Sequence, residues 1–240
     1  MLGMLYLQVT KYEGNRKLEW DNFVKSSKNG HFFFYRDYME YHSDRFQDFS
    51  LIIYNDKGNI TALLPAIYNK HPSDEALYAL FRNNAELYRR DVSFSIYLPD
   101  RLPYRYTRKS EIKKGYKHQY SLQESSKYGE YIALLDKILM KYHGTHPVHN
   151  ANELRLLAEK FSNNIKLYTA EKNGRIEAGT VLFLQTGVVH TQYLANSDEG
   201  KKTGALDCLL DWLITDVYKD KTWFDFGISC EQEGRYLNEG

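Results

Sequence analysis

Apolar and polar positions along the chain follow two periods. Short apolar runs, several of them alternating, predict strands at Leu5–Val9, Ser50–Tyr54, Ile60–Ala66, Asp91–Leu98, His118–Leu122, Ile165–Glu171, Arg175–Gln185, Val188–Ala195 and Trp223–Phe226. Apolar residues three or four apart predict helices. Leu18 and Phe23 mark one that ends near Ser27. Tyr131, Leu134, Leu135, Ile138 and Tyr142 mark another, and Leu154, Leu157, Ala158 and Phe161 a third. After Gly204, the residues Leu206, Leu209, Leu210, Leu213, Ile214 and Val217 form one apolar face. Short helices are also expected at Arg36–Tyr41, within an aromatic segment, and at Thr107–Gly115, and Ser73-Asp74-Glu75 caps one through Leu77, Leu80 and Phe81.

Turn chemistry joins these elements. Asn55-Asp56-Lys57-Gly58-Asn59 closes one hairpin, and Lys172-Asn173-Gly174 closes another with the strongest short turn signal. Asn150 and Glu153 match a capping box. Asp56–Pro65 and Lys172–Leu182 share a Gly-containing turn, then Ile, then Ala in an apolar strand, which predicts two copies of one unit. The second copy continues as strand, helix and strand. The first passes directly from Ala66 to IYNKHPSDEALYALF, so about half of it is expected to be absent. Pro99 and Pro103 punctuate a boundary, placing an N-terminal half at 1–98 and a C-terminal half at 99–240.

Composition narrows the function classes only slightly. The formal net charge is +1, which gives no global pull toward nucleic acid or anionic lipid. Cys208 and Cys230 are too few for a disulfide scaffold and lack metal-ligand spacing, so a cytoplasmic setting is expected. No apolar run reaches the roughly 20 residues of a membrane span, and MLGMLYLQVT reads as a first strand and not as a signal peptide. The 21 tyrosines imply many half-buried rings with a hydroxyl at water or a partner.

A hairpin, a third strand, a helix folded back on the sheet and a further strand form the core of acyl-CoA-dependent N-acyltransferases. The segments GHFFFYRDYMEYHSDRFQDFSLIIYNDKGNITALLPA, LYALFRNNAELYRRDVS, HPVHNANELRLL, GALDCLLDWLI and FDFGIS…GRYLNEG, in that order, resemble the FemAB-like branch of the GNAT superfamily, the bacterial BioF2-like acetyltransferases associated with surface-polysaccharide clusters. The resemblance covers nearly the whole chain. It implies an α/β (α+β) fold, with a mixed, mostly antiparallel sheet flanked by helices and two GNAT-like halves, the first incomplete. It implies acyl transfer to an amine, such as an amino sugar, from acetyl-CoA or, as in the Fem peptidoglycan-bridge enzymes, from aminoacyl-tRNA. Family members usually carry a glycine- and aromatic-rich stretch and a helix after the LLPA strand, and a further strand after RYLNEG. A non-catalytic binding module on the same fold is the remaining alternative.

Within that frame the candidate residues follow from their chemistry. His190 has the imidazole of a general base, and Tyr193 a phenol able to protonate a leaving thiolate. Strand alternation puts His190 and Gln192 on one face and Thr191 and Tyr193 on the other. Asp225, between Phe224 and Phe226, is expected to line a cleft with a raised pKa and to bind or deprotonate an amine. Asn196–Gly204 is expected to be a loop. Gln192, Lys201, Lys202, Thr203, Gly204 and Ala205 are the donor-binding candidates, with Lys201-x-x-Gly204 partly matching the superfamily's phosphate pattern, although Asp198, Glu199 and Asp207 bring opposing charge. Arg89 and Arg90, together with Glu231, Arg235 and Asn238 in a polar loop, are candidates for the acceptor. His143, His146 and His149 suit a helix-capping loop better than a metal site, and no metal is expected. Tyr104–Tyr120 mixes basic and aromatic residues, the segment expected to touch tRNA if tRNA is the donor, through Arg108, Lys113 and Lys114.

Overall fold

Asn173 and Gly174 adopt φ of 51° and 75°, both in the left-handed region, and this two-residue turn organises the larger sheet. The structure, a computed structural model, describes residues 8–27, 30–44, 48–65, 92–228, 230–231 and 236–237. It contains two compact units, Met1–Tyr88 and Arg89–Gly240. The helix expected from Ser73, the missing continuation after Ala66, and Arg89, Arg90, Arg235 and Asn238 lie outside the described residues.

In the first unit, β1 (Gln8–Lys11), β2 (Leu51–Tyr54) and β3 (Ile60–Leu64) form an antiparallel sheet in that order. Helix α1 (Lys17–Ser26) supplies Trp20 and Val24 to a core with Tyr12, Ile52 and Tyr54, and the short α2 (Arg36–Met39) adds Met39. Asp56–Pro65 lies on the β2–β3 hairpin, and Lys172–Leu182 lies on an antiparallel hairpin of the second unit.

The second unit is built on a six-stranded sheet. Its strands are β4 (Ser93–Tyr97), β5 (Ser121–Ser125), β6 (Ile165–Lys172), β7 (Arg175–Leu184), β8 (Val188–Asn196) and β9 (Trp223–Ile228), in the order β4-β9-β8-β7-β6-β5. Every neighbouring pair is antiparallel except β8 and β9, which are parallel. Because β4 pairs with β9, residues 93–97 belong to this unit, and the boundary expected at 98 moves toward the N-terminus. A small hairpin, β10 (Cys230–Glu231) with β11 (Tyr236–Leu237), stands where a polar loop is expected.

Helices cover both faces of this sheet. Successive strand residues point to opposite faces, so Ala178, Leu182 and Leu184 of β7 share one face and Gly179, Val181 and Phe183 the other. The first face packs with Val189 and Phe224 against Ala205, Leu209, Leu213 and Ile214 of α7 (Ala205–Trp212) and the π-helical turn that continues it. The second carries α4 (Tyr128–His143) and α5 (Ala151–Lys160). Gly179 is required there: a Cβ would stand 2.8 Å from the Tyr131 ring. The capping box holds, since Asn150 accepts from the amides of Asn152 and Glu153 while Glu153 accepts from the amide of Asn150.

Candidate active site

The parallel pairing of β8 and β9 is short. It joins Val188 to Trp223, Val189 to Phe224 and His190 to Asp225, and no described residue of β8 beyond His190 pairs with β9. The strands part because both are bulged. Between β4 and β9, Ser93 pairs with Ile228 but Ser95 with Asp225, which leaves one extra residue in β9. Gly227 supplies the conformation for this, with φ at 78°. Between β7 and β8, Val181 pairs with Tyr193 but Leu182 with Thr191, so Gln192 is the extra residue of β8. From Thr191 onward, one edge of β8 therefore offers peptide groups with no strand partner among the described residues.

His190 and Asp225 stand where the fork begins. Nδ1 of His190 is 2.5 Å from Oδ2 of Asp225, and the Ser95 hydroxyl donates to Oδ1 at 2.7 Å. Burial alone would raise the Asp225 carboxyl, but hydrogen bonds from His190, Ser95 and Ser93 and the charge of a protonated His190 outweigh it and hold the group below the ordinary aspartate range. The expectation of a raised pKa is thus overturned. An ionised carboxylate only accepts, so Nδ1 of His190 donates to it, and in the neutral ring Nε2 is then the nitrogen that presents a lone pair. No described residue hydrogen-bonds Nε2. The arrangement can take a proton at Nε2 and stabilise the resulting imidazolium through Asp225.

The Gln192 bulge corrects the expected faces. Residues directly opposite in an antiparallel pair share a face. His190 pairs with Phe183 and Tyr193 with Val181, so His190 and Tyr193 both point to the α4–α5 side, while Thr191 lies with Leu182 on the α7 side. Simple alternation fails because one residue is inserted between them. The Tyr193 hydroxyl is 2.6 Å from Nδ1 of the buried His149. Burial raises its pKa and keeps the phenol protonated. Tyr193 is therefore tied into the α5 side of the sheet.

The donor-loop candidates occupy a different structure from the expected one. A helix, α6 (Asp198–Thr203), replaces the loop, with Ser197 as its N-cap accepting from the amide of Gly200. It runs into α7 through Gly204, whose φ is 74°. Thr203, Gly204 and Ala205 are buried. Helix α3 (Tyr106–Lys117) lies against them: a Cβ on Gly204 would stand 2.3 Å from the Glu111 carbonyl oxygen. The Thr203 hydroxyl meets Tyr120 at 2.6 Å. Lys201 is exposed, its ammonium 4.0 Å from the centroid of the Tyr142 ring, and Lys202 is exposed on the same helix. Asp198 pairs with Lys141 at 2.9 Å. No open anion loop forms here, because α3, distant in sequence, fills the space beside Gly204.

Two of the three histidines have separate partners. His146 meets Asp136 at 2.6 Å and His149 meets Tyr193. Among the described residues no group of three His, Cys, Asp or Glu could hold a metal ion, and no helix is long and apolar enough to cross a membrane. Cys208 is buried, which pushes its thiol up to about 11 and leaves little thiolate for reaction. Glu231 lies on β10. Sequence reasoning missed Ser93, Ser95 and Gly227. Gly227 had a local signal, a glycine ending an aromatic strand. Ser95 had none, since its partner lies 130 residues away.

No protein-family model matches the chain, and no curated protein matches it significantly. Solved structures do. FemX superposes with a TM-score of 0.64 at 10% identity, over 97% of this chain and 90% of that one. The chain has the FemX fold. A protein of unknown function from Bacteroides thetaiotaomicron VPI-5482 follows with a TM-score of 0.50 at 9% identity, covering 93% of this chain and 91% of that one. The C-terminal DUF2156 domain of a candidate lysylphosphatidylglycerol synthetase from Agrobacterium fabrum also reaches 0.50, at 11% identity. That match covers 66% of this chain and about half, 52%, of the other. The mixed, mostly antiparallel sheet flanked by helices is common to the chain and FemX.

Proposed function

We propose that the protein is an N-acyltransferase that moves an acyl group, acetyl in the simplest case, from a CoA thioester to an amine. One observation carries this reading: the fork between β8 and β9, with the His190–Asp225 pair where it opens. A thioester arm has amides that hydrogen-bond to a strand edge, and the unpartnered edge of β8 fits it. The start of α7 fits its phosphates poorly, being covered by α3.

The thioester, when bound, supplies an electrophilic carbonyl. His190 Nε2 takes the proton from the attacking amine as the C–N bond forms and the C–S bond breaks. Asp225 holds the imidazole in the required tautomer, and Ser95 holds Asp225. The bulged peptide at Gln192 is the candidate donor to the developing oxyanion. An amino sugar is the proposed acceptor, following the family resemblance, with Arg89, Arg90, Glu231, Arg235 and Asn238 as its proposed contacts. Incubation with acetyl-CoA and a panel of aminosugar nucleotides, following free CoA, tests the proposal. Release with one acceptor, reduced about a hundredfold or more in His190→Gln, is expected. No release with any acceptor and no thermal shift with CoA would overturn it.

A second reading, an aminoacyl-tRNA donor, is favoured by one feature. Lys109, Lys113 and Lys117 recur every fourth residue along α3, roughly 6 Å apart, and with the N-cap Arg105 all are exposed and without an ion pair among the described residues. Arg108 is paired with Asp207 and Lys114 with Glu111, so they contribute less free charge. The test is tRNA binding against salt concentration. Each of Lys109→Gln, Lys113→Gln and Lys117→Gln should lower the salt slope by about one. Absent or salt-independent binding removes this reading.

A further inference from the structure

A second cleft lies apart from the fork. It has a volume of 580 Å³, within the usual size range of small-molecule sites. Its walls come from the end of the β6–β7 hairpin (Lys172, Asn173, Arg175, Glu177), the α3–β5 turn (His118, Tyr120) and α6 (Glu199, Thr203). None of these residues belongs to β8 or β9.

Some of this lining is already committed to the fold. Lys172 donates to the His118 carbonyl at 2.8 Å, and the Tyr120 hydroxyl meets Thr203 at 2.6 Å. Glu177 accepts from the Ser197 hydroxyl. Two charges of opposite sign are not committed: the Arg175 guanidinium and the Glu199 carboxylate have no side-chain partner among the described residues, and both are exposed. In the α3–β5 turn the backbone is held in an uncommon conformation. Gln119 has φ of 55°, left-handed for a residue with a side chain, and it turns the chain so that the His118 and Tyr120 rings stack at 6.2 Å with planes 26° apart. Among the described residues of its lining, the cleft thus offers one cation and one anion without a side-chain partner, and an aromatic wall whose Tyr120 ring has the Lys172 ammonium 5.8 Å from its centroid.

We propose that this cleft binds a free α-amino acid. The carboxylate is met by Arg175 and the ammonium by Glu199, and the side chain rests toward the His118–Tyr120 wall. The charge balance selects this class. Across the lining, Lys172 and Arg175 offset Glu177 and Glu199, so a simple dianion would meet two carboxylates and a simple dication two cations. A zwitterion satisfies both free groups, and charge-assisted hydrogen bonds at each end give the strongest contacts available here.

The test is isothermal titration of the full chain with the proteinogenic L-amino acids. The best ligand is then compared with its N-acetyl derivative, which keeps only the carboxylate, its amide, which keeps only the ammonium, and inorganic phosphate. Saturable binding of at least one amino acid is expected, weakened about tenfold or more in each single-charge derivative. Arg175→Gln and Glu199→Gln should each weaken it similarly while leaving the unfolding temperature unchanged. The proposal is overturned if no amino acid binds, if a derivative or phosphate binds as well, or if both variants bind like the parent. Because no residue of the fork is altered, acyl-transfer activity is a separate readout, and its presence or absence leaves this result intact.

Discussion

Gly227 lies beneath the imidazole of His190. A Cβ built on Gly227 would stand 3.3 Å from Cε1 and 4.0 Å from Nε2, and the residue holds φ at 78°. The glycine that bends β9 away from β8 therefore also leaves room for the ring at the mouth of the fork. Gly227→Ala should cost about 1–2 kcal/mol through the left-handed backbone alone and displace the imidazole besides. Urea denaturation reads the first effect. The second appears as a fall in acyl transfer larger than the lost stability explains.

Asp225→Asn tests the tautomer argument. An amide offers its NH₂ or its carbonyl to Nδ1, so the proton on His190 is no longer confined to one nitrogen. Transfer should fall by about two to four orders of magnitude with little change in acceptor KM. The stability effect has a definite sign. The Asp225 carboxyl is held below its unfolded value, so its contribution is full above the unfolded pKa and is lost as pH falls through the folded one. The gap in unfolding free energy between parent and variant should be constant near neutrality and shrink below about pH 4. A gap that widens on acidification would contradict the assignment.

Gly115→Ala tests the cover over the start of α7. The added methyl would stand 2.3 Å from the Gly204 carbonyl oxygen and 2.7 Å from the Cys208 Cβ. Overpacking of this kind costs about 1–3 kcal/mol, at the upper end where backbone must move. Separation of α3 from α7 should also expose Cys208. Faster alkylation of that thiol in the variant checks the direction of the movement.

In the first unit Arg36 is 1% exposed, its guanidinium 3.6 Å from the Tyr12 ring centroid and 5.0 Å from that of Trp20. It donates to Glu40 at 3.1 Å and to Asp48. Burial alone would raise Asp48, but the Ser50 hydroxyl and amide and the Arg36 guanidinium together hold its carboxyl low. Arg36→Ala should destabilise this unit by about 3 kcal/mol, since it leaves a cavity and strands the partly buried carboxylates. Arg36→Met refills the space between the rings and should recover part of that loss. Chemical denaturation of both variants separates the packing from the charge.

Much of the second unit can be read from local pattern. The Asn173-Gly174 turn, the Asn150–Glu153 cap and the apolar face after Gly204 each arise from residues within a few positions of one another. The candidate site is only half legible in this way. His190 and Asp225 stand out as chemistry on neighbouring elements, and the structure pairs them. Ser95 could not be found, and the phosphate-loop pattern at Lys201–Ala205 pointed to an opening that α3 occupies.

Sequence by itself determined most of the strands and longer helices of the larger unit and where its sharp turns fall, because periodicity and turn chemistry act over a few residues. Only the tertiary structure decided that Gln192 is inserted between Thr191 and Tyr193, that β8 and β9 part after His190, and that α3 closes over Gly204. Those outcomes depend on backbone pairing and packing between residues far apart in the sequence, as far as Ser93 and Ile228. A single inserted residue reverses the facing of every side chain after it, and no local pattern records on which strand that insertion falls.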